Sequence, residues 1–248
     1  MRHKEELGII ILAAGRGTRM QSNKPKVLYT INGKSIISYI LNCVKNIVQK
    51  NIIVVIGYKA EKVKKEISKQ FKVVFALQKQ LLGTGNAVKV ALPYLSKHIK
   101  NVVVLCGDVP LIQEKTIFDL INFHSKNQND ITVLSVVVKN PLGYGRVVLD
   151  NNKEIFCIKE EVDANSDEKK ICLVNSGIYC IKEEFLKKAL DLLRLDNVQK
   201  EYYLTDIVGI GRVMGRKIGC MIGNNHKELI GINTITQLQQ VEQIMMSL

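Results

Sequence analysis

Metal-binding spacing is what the cysteines lack. Cys43, Cys106, Cys157, Cys172, Cys180 and Cys220 form no CxxC pair, and no histidines stand at finger-like spacing. A zinc finger and a redox dithiol are therefore excluded. Most of the six sit among Ile, Val, Leu or Phe, as small apolar core residues in a reducing compartment do. Long apolar runs are missing too. Met1 to Glu6 is short and charged, and the next apolar run ends at Gly15, too soon for a spanning helix and wrong for a signal peptide. A cytoplasmic protein is the expectation. No repeat of fixed period and no low-complexity linker divides the chain, so residues 1–248 are expected to form one domain.

What is present is charge and core-forming residues. Lys and Arg number 36 against 23 Asp and Glu, a formal net charge of +13, and 46% of the 248 residues are hydrophobic. Such a chain can bury one substantial core. The positive balance suits a nucleic-acid binder, a membrane-surface protein or an enzyme that draws in polyanions. The lysines are spread along the chain rather than gathered into a patch with interleaved aromatics, which argues against the first.

The first half alternates short apolar runs with amphipathic ones. Gly8 to Ala13, Ile52 to Ile56, Val73 to Leu77 and Val102 to Cys106 are rich in β-branched residues and read as strands buried on both faces. Ser35 to Val48 after a possible serine cap, Ala60 to Lys69, Gly85 to Leu92 and Glu114 to Lys126 read as helices. Strand then helix, repeated, predicts an α/β fold with a Rossmann-like, doubly wound, mostly parallel sheet. After Asp130 the texture changes. Ile131 to Val138, Gly145 to Leu149, Ile155 to Lys159 and Cys172 to Ile181 predict antiparallel additions or a small β lobe. Helical patterns return at Glu183 to Leu193, Thr205 to Met214 and Thr234 to Met246, with a strand at Ile218 to Ile222.

Chemistry concentrates in a few segments. Leu12-Ala13-Ala14-Gly15-Arg16-Gly17-Thr18-Arg19-Met20, followed by Lys24-Pro25-Lys26, leaves the carboxyl end of the first predicted strand, where open α/β sheets bind ligands. Its glycines let backbone N–H groups approach phosphate oxygens, and Arg19 and Lys26 add charge to neutralise a triphosphate. The bland alternative is an ordinary βα turn. The third Gly of a dinucleotide fingerprint is missing, and this is not a Walker A loop. Gln78 with Leu82-Gly83-Thr84-Gly85-Asn86 follows the third strand, where an amide and exposed backbone can pair with a nucleobase edge; Thr84 is equally a helix cap. Asp108, just past the fourth strand, is either a magnesium ligand or a turn residue.

In register, these residues resemble the signature of the sugar-phosphate nucleotidyltransferases, and within them the N-acetylglucosamine-1-phosphate uridylyltransferases. The resemblance runs from Ile9 to about Gln240. It implies synthesis of UDP-N-acetylglucosamine and pyrophosphate from UTP and N-acetylglucosamine 1-phosphate, with magnesium as cofactor. It implies nucleotide binding by Leu12, Ala13, Ala14, Gly15, Lys26, Gln78, Gly83 and Thr84, with Arg19 and Lys26 catalytic. Residues matching Gly145, Glu160 and Asn175 line the family's sugar pocket. The spacing from Arg146 makes Glu161 a second candidate for the acidic position, and Thr205 is a further sugar contact. Glu228-Leu229-Ile230-Gly231-Ile232-Asn233 matches a segment whose Asn joins the Asp108 position in holding magnesium; alone, Asn233 would read as a helix cap. Two positions depart from the family: Asn86 where His is usual, which leaves Asn86 outside the implied site, and Cys106 where Tyr is common.

The implied nucleophile is a phosphate oxygen, already anionic, so no side chain need remove a proton. This agrees with His3, His98, His124 and His226 all lying outside the motifs. Bacterial relatives often continue into a trimerising β-helix with acetyltransferase activity. Nothing after Leu248 supplies one, so a monomer or weak dimer acting on small molecules, with no nucleic-acid or membrane partner, is expected. A nucleotidyltransferase for another sugar 1-phosphate and a non-catalytic nucleotide-binding module of the same fold remain as alternatives.

Overall fold

The computed structural model describes residues 6–20 and 22–247; residues 1–5, with His3, lie outside the described residues. β1 (Leu7–Ala13) leads to a small hairpin of β2 (Thr30–Ile31) and β3 (Lys34–Ser35), then α1 (Ile36–Val44), β4 (Ile52–Ile56), α2 (Ala60–Ser68), β5 (Val74–Leu77), α3 (Thr84–Ala91), β6 (Asn101–Cys106) and α4 (Glu114–Lys126). The second half comprises β7 (Ile131–Val137), β8 (Arg146–Leu149), β9 (Ile155–Lys159), β10 (Leu173–Lys182), α5 (Glu183–Asp191), α6 (Asp206–Val213), β11 (Ile218–Ile222) and α7 (Ile235–Met246).

The main sheet runs β11-β7-β10-β6-β1-β4-β5. β6, β1, β4 and β5 are parallel, as alternation of strand and helix demands, and only β10 runs against its neighbours β6 and β7. Successive side chains of β1 part to opposite faces. Ile9, Ile11 and Ala13 pack under α1, α2 and α4, while Ile10 packs under α3, α5 and α6. Burying each such aliphatic chain contributes about 1.5–3 kcal/mol. A third cluster joins Met20, Ile31 and Ile36 to Ile230, Ile232 and Val241, so α7 is held against the β2–β3 hairpin.

Two expectations change, and a third is decided between its two alternatives. β5 is an edge strand, and Val74 and Leu77 stand half exposed, so its apolar run is not buried on both faces. Ser35 does not cap α1, because its hydroxyl is engaged with that of Ser38 at 2.6 Å. β7 and β10 belong to the main sheet rather than to a lobe; the addition is the β8–β9 hairpin, tied on where Val174 pairs with Arg146.

This topology gathers chain ends at one edge. The carboxyl ends of β1, β5 and β6 and, because β10 is reversed, its amino end at Asn175 all open there.

Candidate functional site

Two adjoining cavities of about 400 and 390 Å³ occupy that edge. Every candidate residue named from the sequence except Glu161 lines one or both of them. Leu12, Ala13, Ala14, Gly15, Lys26, Gln78 and Gly83 line the first, and Arg19, Gly145, Glu160, Asn175, Thr205 and Asn233 line the second. Leu12, Thr84, Cys106 and Asp108 form their common boundary.

The first cavity is shaped by backbone. Gly17 has φ +64°, and a Cβ there would stand 2.8 Å from the Lys26 Cβ, so the loop closes over Lys26 only with glycine. The loop is anchored by Met20, buried in the third cluster, and by the Tyr58 N–H donating to Ala14 O at 2.9 Å. Arg16 and Lys59 stack over the Tyr58 ring at 5.6 and 5.3 Å, so two more cations stand near this loop. Tyr58 and Lys59 carry no signal in the sequence, since the β4–α2 turn bears no motif of its own.

Across the cavity, the Leu82–Gly85 turn is stitched to the segment before α6. Tyr202 N–H donates to Leu82 O at 2.8 Å, and Gly85 N–H to Tyr202 O at 2.7 Å. Gly83 has φ +95°, and a Cβ would meet Tyr202 O at 2.7 Å. Thr84 is not a cap: its Oγ1 accepts the Leu204 N–H at 3.0 Å, holding the cavity boundary together. Gln78 is 4% exposed, and its Nε2 donates to Gly83 O at 3.0 Å and to Asn86 Oδ1 at 2.9 Å. Asn86, which the resemblance left out, is thus the partner of a cavity residue.

At the boundary, Asp108 and Asn233 converge. The Lys26 ammonium donates to Asp108 Oδ2 and, at 2.8 Å, to Asn233 Oδ1, which also accepts from Arg19 Nη2 at 3.1 Å. Asn233 is placed by the turn before α7. Thr234 is the cap, in a capping box with Gln237, and Gln237 Oε1 accepts the Asn233 N–H at 2.8 Å. The Ile232 N–H donates to Asp108 O at 2.9 Å and ties the loop after β6 to the segment before α7. One carboxylate and one amide oxygen aimed at a shared cation are a sparse oxygen set. No group of three His, Cys, Asp or Glu suited to a metal occurs among the described residues. Such a set suits magnesium, which keeps waters and takes phosphate oxygens, and does not suit zinc. Cys106 is no nucleophile here: burial, then Asp108, push its thiol up to about 12 against the pull of Lys26.

The second cavity combines an apolar wall, with Val109, Leu142, Leu204 and Leu229, with the polar groups of Glu160, Asn175 and Thr205. Glu160 Oε1 accepts the Thr205 hydroxyl at 3.0 Å. Burial raises the Glu160 carboxyl above its usual range; the Thr205 bond opposes this, and Asp206, Asp163 and Glu201 reinforce it. Asn175 lies on β10, an inner strand paired with both β6 and β7. It lies where the register of β10 on β7 slips, its Nδ2 donating to Tyr179 Oη at 2.7 Å and its Oδ1 accepting the Gly177 N–H at 3.0 Å. Between Glu160 and Glu161 the geometry decides. Glu160 lines the cavity, whereas Glu161 turns to the Gly143 N–H and the Arg146 guanidinium, both at 2.8 Å. Neither cavity is lined by a histidine among the described residues.

A profile of the MobA-like NTP transferase domain matches residues 9–163. Two curated relatives bear the name bifunctional protein GlmU. That of Clostridioides difficile (strain 630) is 44% identical over 95% of this chain, which covers 51% of that protein. That of Alkaliphilus oremlandii is 43% identical over 97% of this chain, which covers 52% of that protein. The chain thus spans about half the length of these relatives. Among solved structures, a Bacillus anthracis protein assigned as a glucose-1-phosphate thymidylyltransferase superposes with a TM-score of 0.73 at 17% identity, covering 96% of this chain and 94% of its own. The 4-diphosphocytidyl-2C-methyl-D-erythritol synthase of Anaerococcus prevotii follows at 0.67 and 15%, covering 97% and 98%. At these identities the likeness is one of fold.

Proposed function

The chain belongs to the MobA-like NTP transferase domain family, and from that membership we propose that it makes UDP-N-acetylglucosamine and pyrophosphate from UTP and N-acetylglucosamine 1-phosphate. The observation that carries this reading is the pair of cavities meeting at Asp108, with Lys26, Arg19 and Asn233 joined there. A nucleotide in the first cavity and a sugar phosphate in the second would bring their phosphates together at the cations.

Gln78 and the Gly83 backbone face the base, and the Ala13–Gly15 turn faces the phosphates. Glu160, Asn175, Thr205 and Gly145 receive the sugar hydroxyls and acetamido group, which selects by leaving these groups unpaired when a wrong sugar binds. An oxygen of the sugar phosphate attacks the α-phosphorus. The bond from that phosphorus to the bridging oxygen breaks, and pyrophosphate leaves with the electron pair. No proton moves. Lys26 and Arg19 orient the triphosphate and neutralise its charge. Asp108 and Asn233 would hold magnesium, which when bound would supply neutralisation of the triphosphate's negative charge. No helix among the described residues is long and apolar enough to cross a membrane. A cytoplasmic enzyme of one nucleotidyltransferase domain over 1–248, monomeric or weakly dimeric, acting on small molecules and not on nucleic acid or membrane, completes the proposal.

The test is pyrophosphate release with magnesium and UTP, supplied in parallel with N-acetylglucosamine 1-phosphate, glucose 1-phosphate or glucosamine 1-phosphate. Release with the acetylated sugar at least about tenfold faster than with the others is expected. Preference for glucose 1-phosphate would keep the reaction class but remove the sugar roles of Glu160 and Asn175, and no release with any pair would leave a nucleotide-binding module.

A further inference from the structure

We infer that Tyr179 presents its phenolic proton to the second cavity and binds an acceptor oxygen of the sugar there; this rests on the second cavity being the sugar side. Asn175 decides where that proton goes. Its Oδ1 accepts the Gly177 N–H at 3.0 Å, and a backbone N–H only donates, so the amide stands in one orientation with Nδ2 toward Tyr179. Nδ2 also only donates, and it reaches Tyr179 Oη at 2.7 Å. The Tyr179 oxygen is therefore the acceptor in that bond, and its own proton is left over.

No acceptor among the described residues takes that proton. Glu160 acts on Tyr179 as a neighbouring charge, and its Oε1 is engaged by the Thr205 hydroxyl. A buried phenol ordinarily finds partners for its hydroxyl, so an unspent donor calls for a reason. Tyr179 is 2% exposed and packs in the core, and its strand pairs it with Val104 on one side and Val133 on the other, which holds the ring in place. Together with Glu160, Asn175 and Cys106 it nevertheless lines the second cavity. Burial first, and then Glu160, raise its pKa well above the usual tyrosine value, so the group stays O–H at neutral pH. Glu160 accepts and suits the proton of a sugar hydroxyl. Tyr179 donates and suits an oxygen lone pair, which a ring hydroxyl or the acetamido carbonyl supplies.

The experiment measures Kd by calorimetry for UDP-N-acetylglucosamine, UDP-glucose and UDP, with magnesium, on the wild type, Tyr179→Phe, Asn175→Ala and the double variant. A sugar nucleotide spans both cavities and UDP only the first, so UDP reports whether each variant keeps its fold. Tyr179→Phe is expected to weaken UDP-N-acetylglucosamine about tenfold, roughly one hydrogen bond's worth, to leave UDP unchanged, and to have a similar effect in the Asn175→Ala background. Parallel weakening of UDP-glucose assigns the proton to a hydroxyl that the two sugars share, and weakening confined to the acetylated sugar assigns it to the acetamido carbonyl. Unchanged binding of both sugar nucleotides, or an equal loss on all three ligands, would overturn the inference. So would a loss that disappears in the Asn175→Ala background, since Tyr179 would then do no more than hold Asn175. If the wild type binds both sugar nucleotides no differently from UDP, the proposed reaction fails and the inference falls with it, an outcome distinct from a wild type that tells them apart and a Tyr179→Phe variant that matches it.

Discussion

Lys26 occupies the narrowest part of the candidate site, between Asp108 Oδ2 and Asn233 Oδ1, with 15% of its side chain exposed. An ammonium already desolvated and oriented is a strong electrostatic group toward a developing pyrophosphate, because little reorganisation remains to be done at the moment of reaction. Lys26→Ala should lower kcat by about 100-fold at saturating UTP and magnesium, near 3 kcal/mol of barrier, by analogy with single-donor deletions. An unchanged turnover in that variant would remove Lys26 from the machinery. The candidate residues were legible singly because each lies in a contiguous motif. Their partnerships were not, since Gln78 with Asn86 and Lys26 with Asn233 depend on how the chain returns to the same edge. Thr84 shows the same limit: a residue suited to capping receives instead a backbone N–H from a segment 120 positions away.

Among the elements, the β8–β9 hairpin has the clearest consequence for the second cavity. Arg146 opens β8 with 1% exposure, and its guanidinium reaches Glu161, the Tyr144 carbonyl and, at 3.4 Å, the Lys169 carbonyl. Glu161, held below its usual carboxylate range by the Gly143 N–H and Arg146 against a burial effect, ties the Leu142–Gly145 turn to the hairpin. Glu161→Gln should therefore loosen that turn and leave a buried guanidinium without its counter-charge. The expected outcome is a loss of about 2–3 kcal/mol in urea unfolding, discounted from the cost of breaking a fully buried pair because Glu161 is partly exposed. The sugar-phosphate KM should rise severalfold with kcat little changed. A KM equal to wild type would show that the turn needs no such tie. The parallel half of the fold was readable because buried parallel strands leave continuous apolar runs between amphipathic helices. The place of β10 inside the main sheet was not, since antiparallel runs read alike whether they join the main sheet or stand apart, and the edge position of β5 is set by its lacking an outer neighbour, not by its residues.

For the molecule as a whole, the chemistry at one edge is separated from the groups that set stability against pH. His124 lies on α4 beneath the sheet, 2% exposed, with Nδ1 2.9 Å from the Thr132 hydroxyl and Nε2 3.2 Å from Asn101 Oδ1. The Asn101 oxygen only accepts, so Nε2 carries the hydrogen and Nδ1 accepts from Thr132, whose oxygen in turn accepts from Asn129 Nδ2 at 2.9 Å. This network is complete with a neutral ring. Burial first, and then Lys182, lower the pKa of His124 from 6.5 to about 4, with Asp130 acting the other way. Between those two values the unfolded chain binds a proton that the folded chain refuses, so the contribution to stability is whole above pH 6.5 and is lost as the pH falls toward 4. At pH 5 the loss amounts to about 2 kcal/mol relative to pH 7.5. Urea unfolding of the wild type and of His124→Gln at both pH values checks this. The variant is less stable at pH 7.5, having lost a satisfied buried ring, but its decline on acidification should be smaller by that amount. Equal declines would mean that His124 charges freely in the folded protein and that carboxylates elsewhere govern its acid sensitivity.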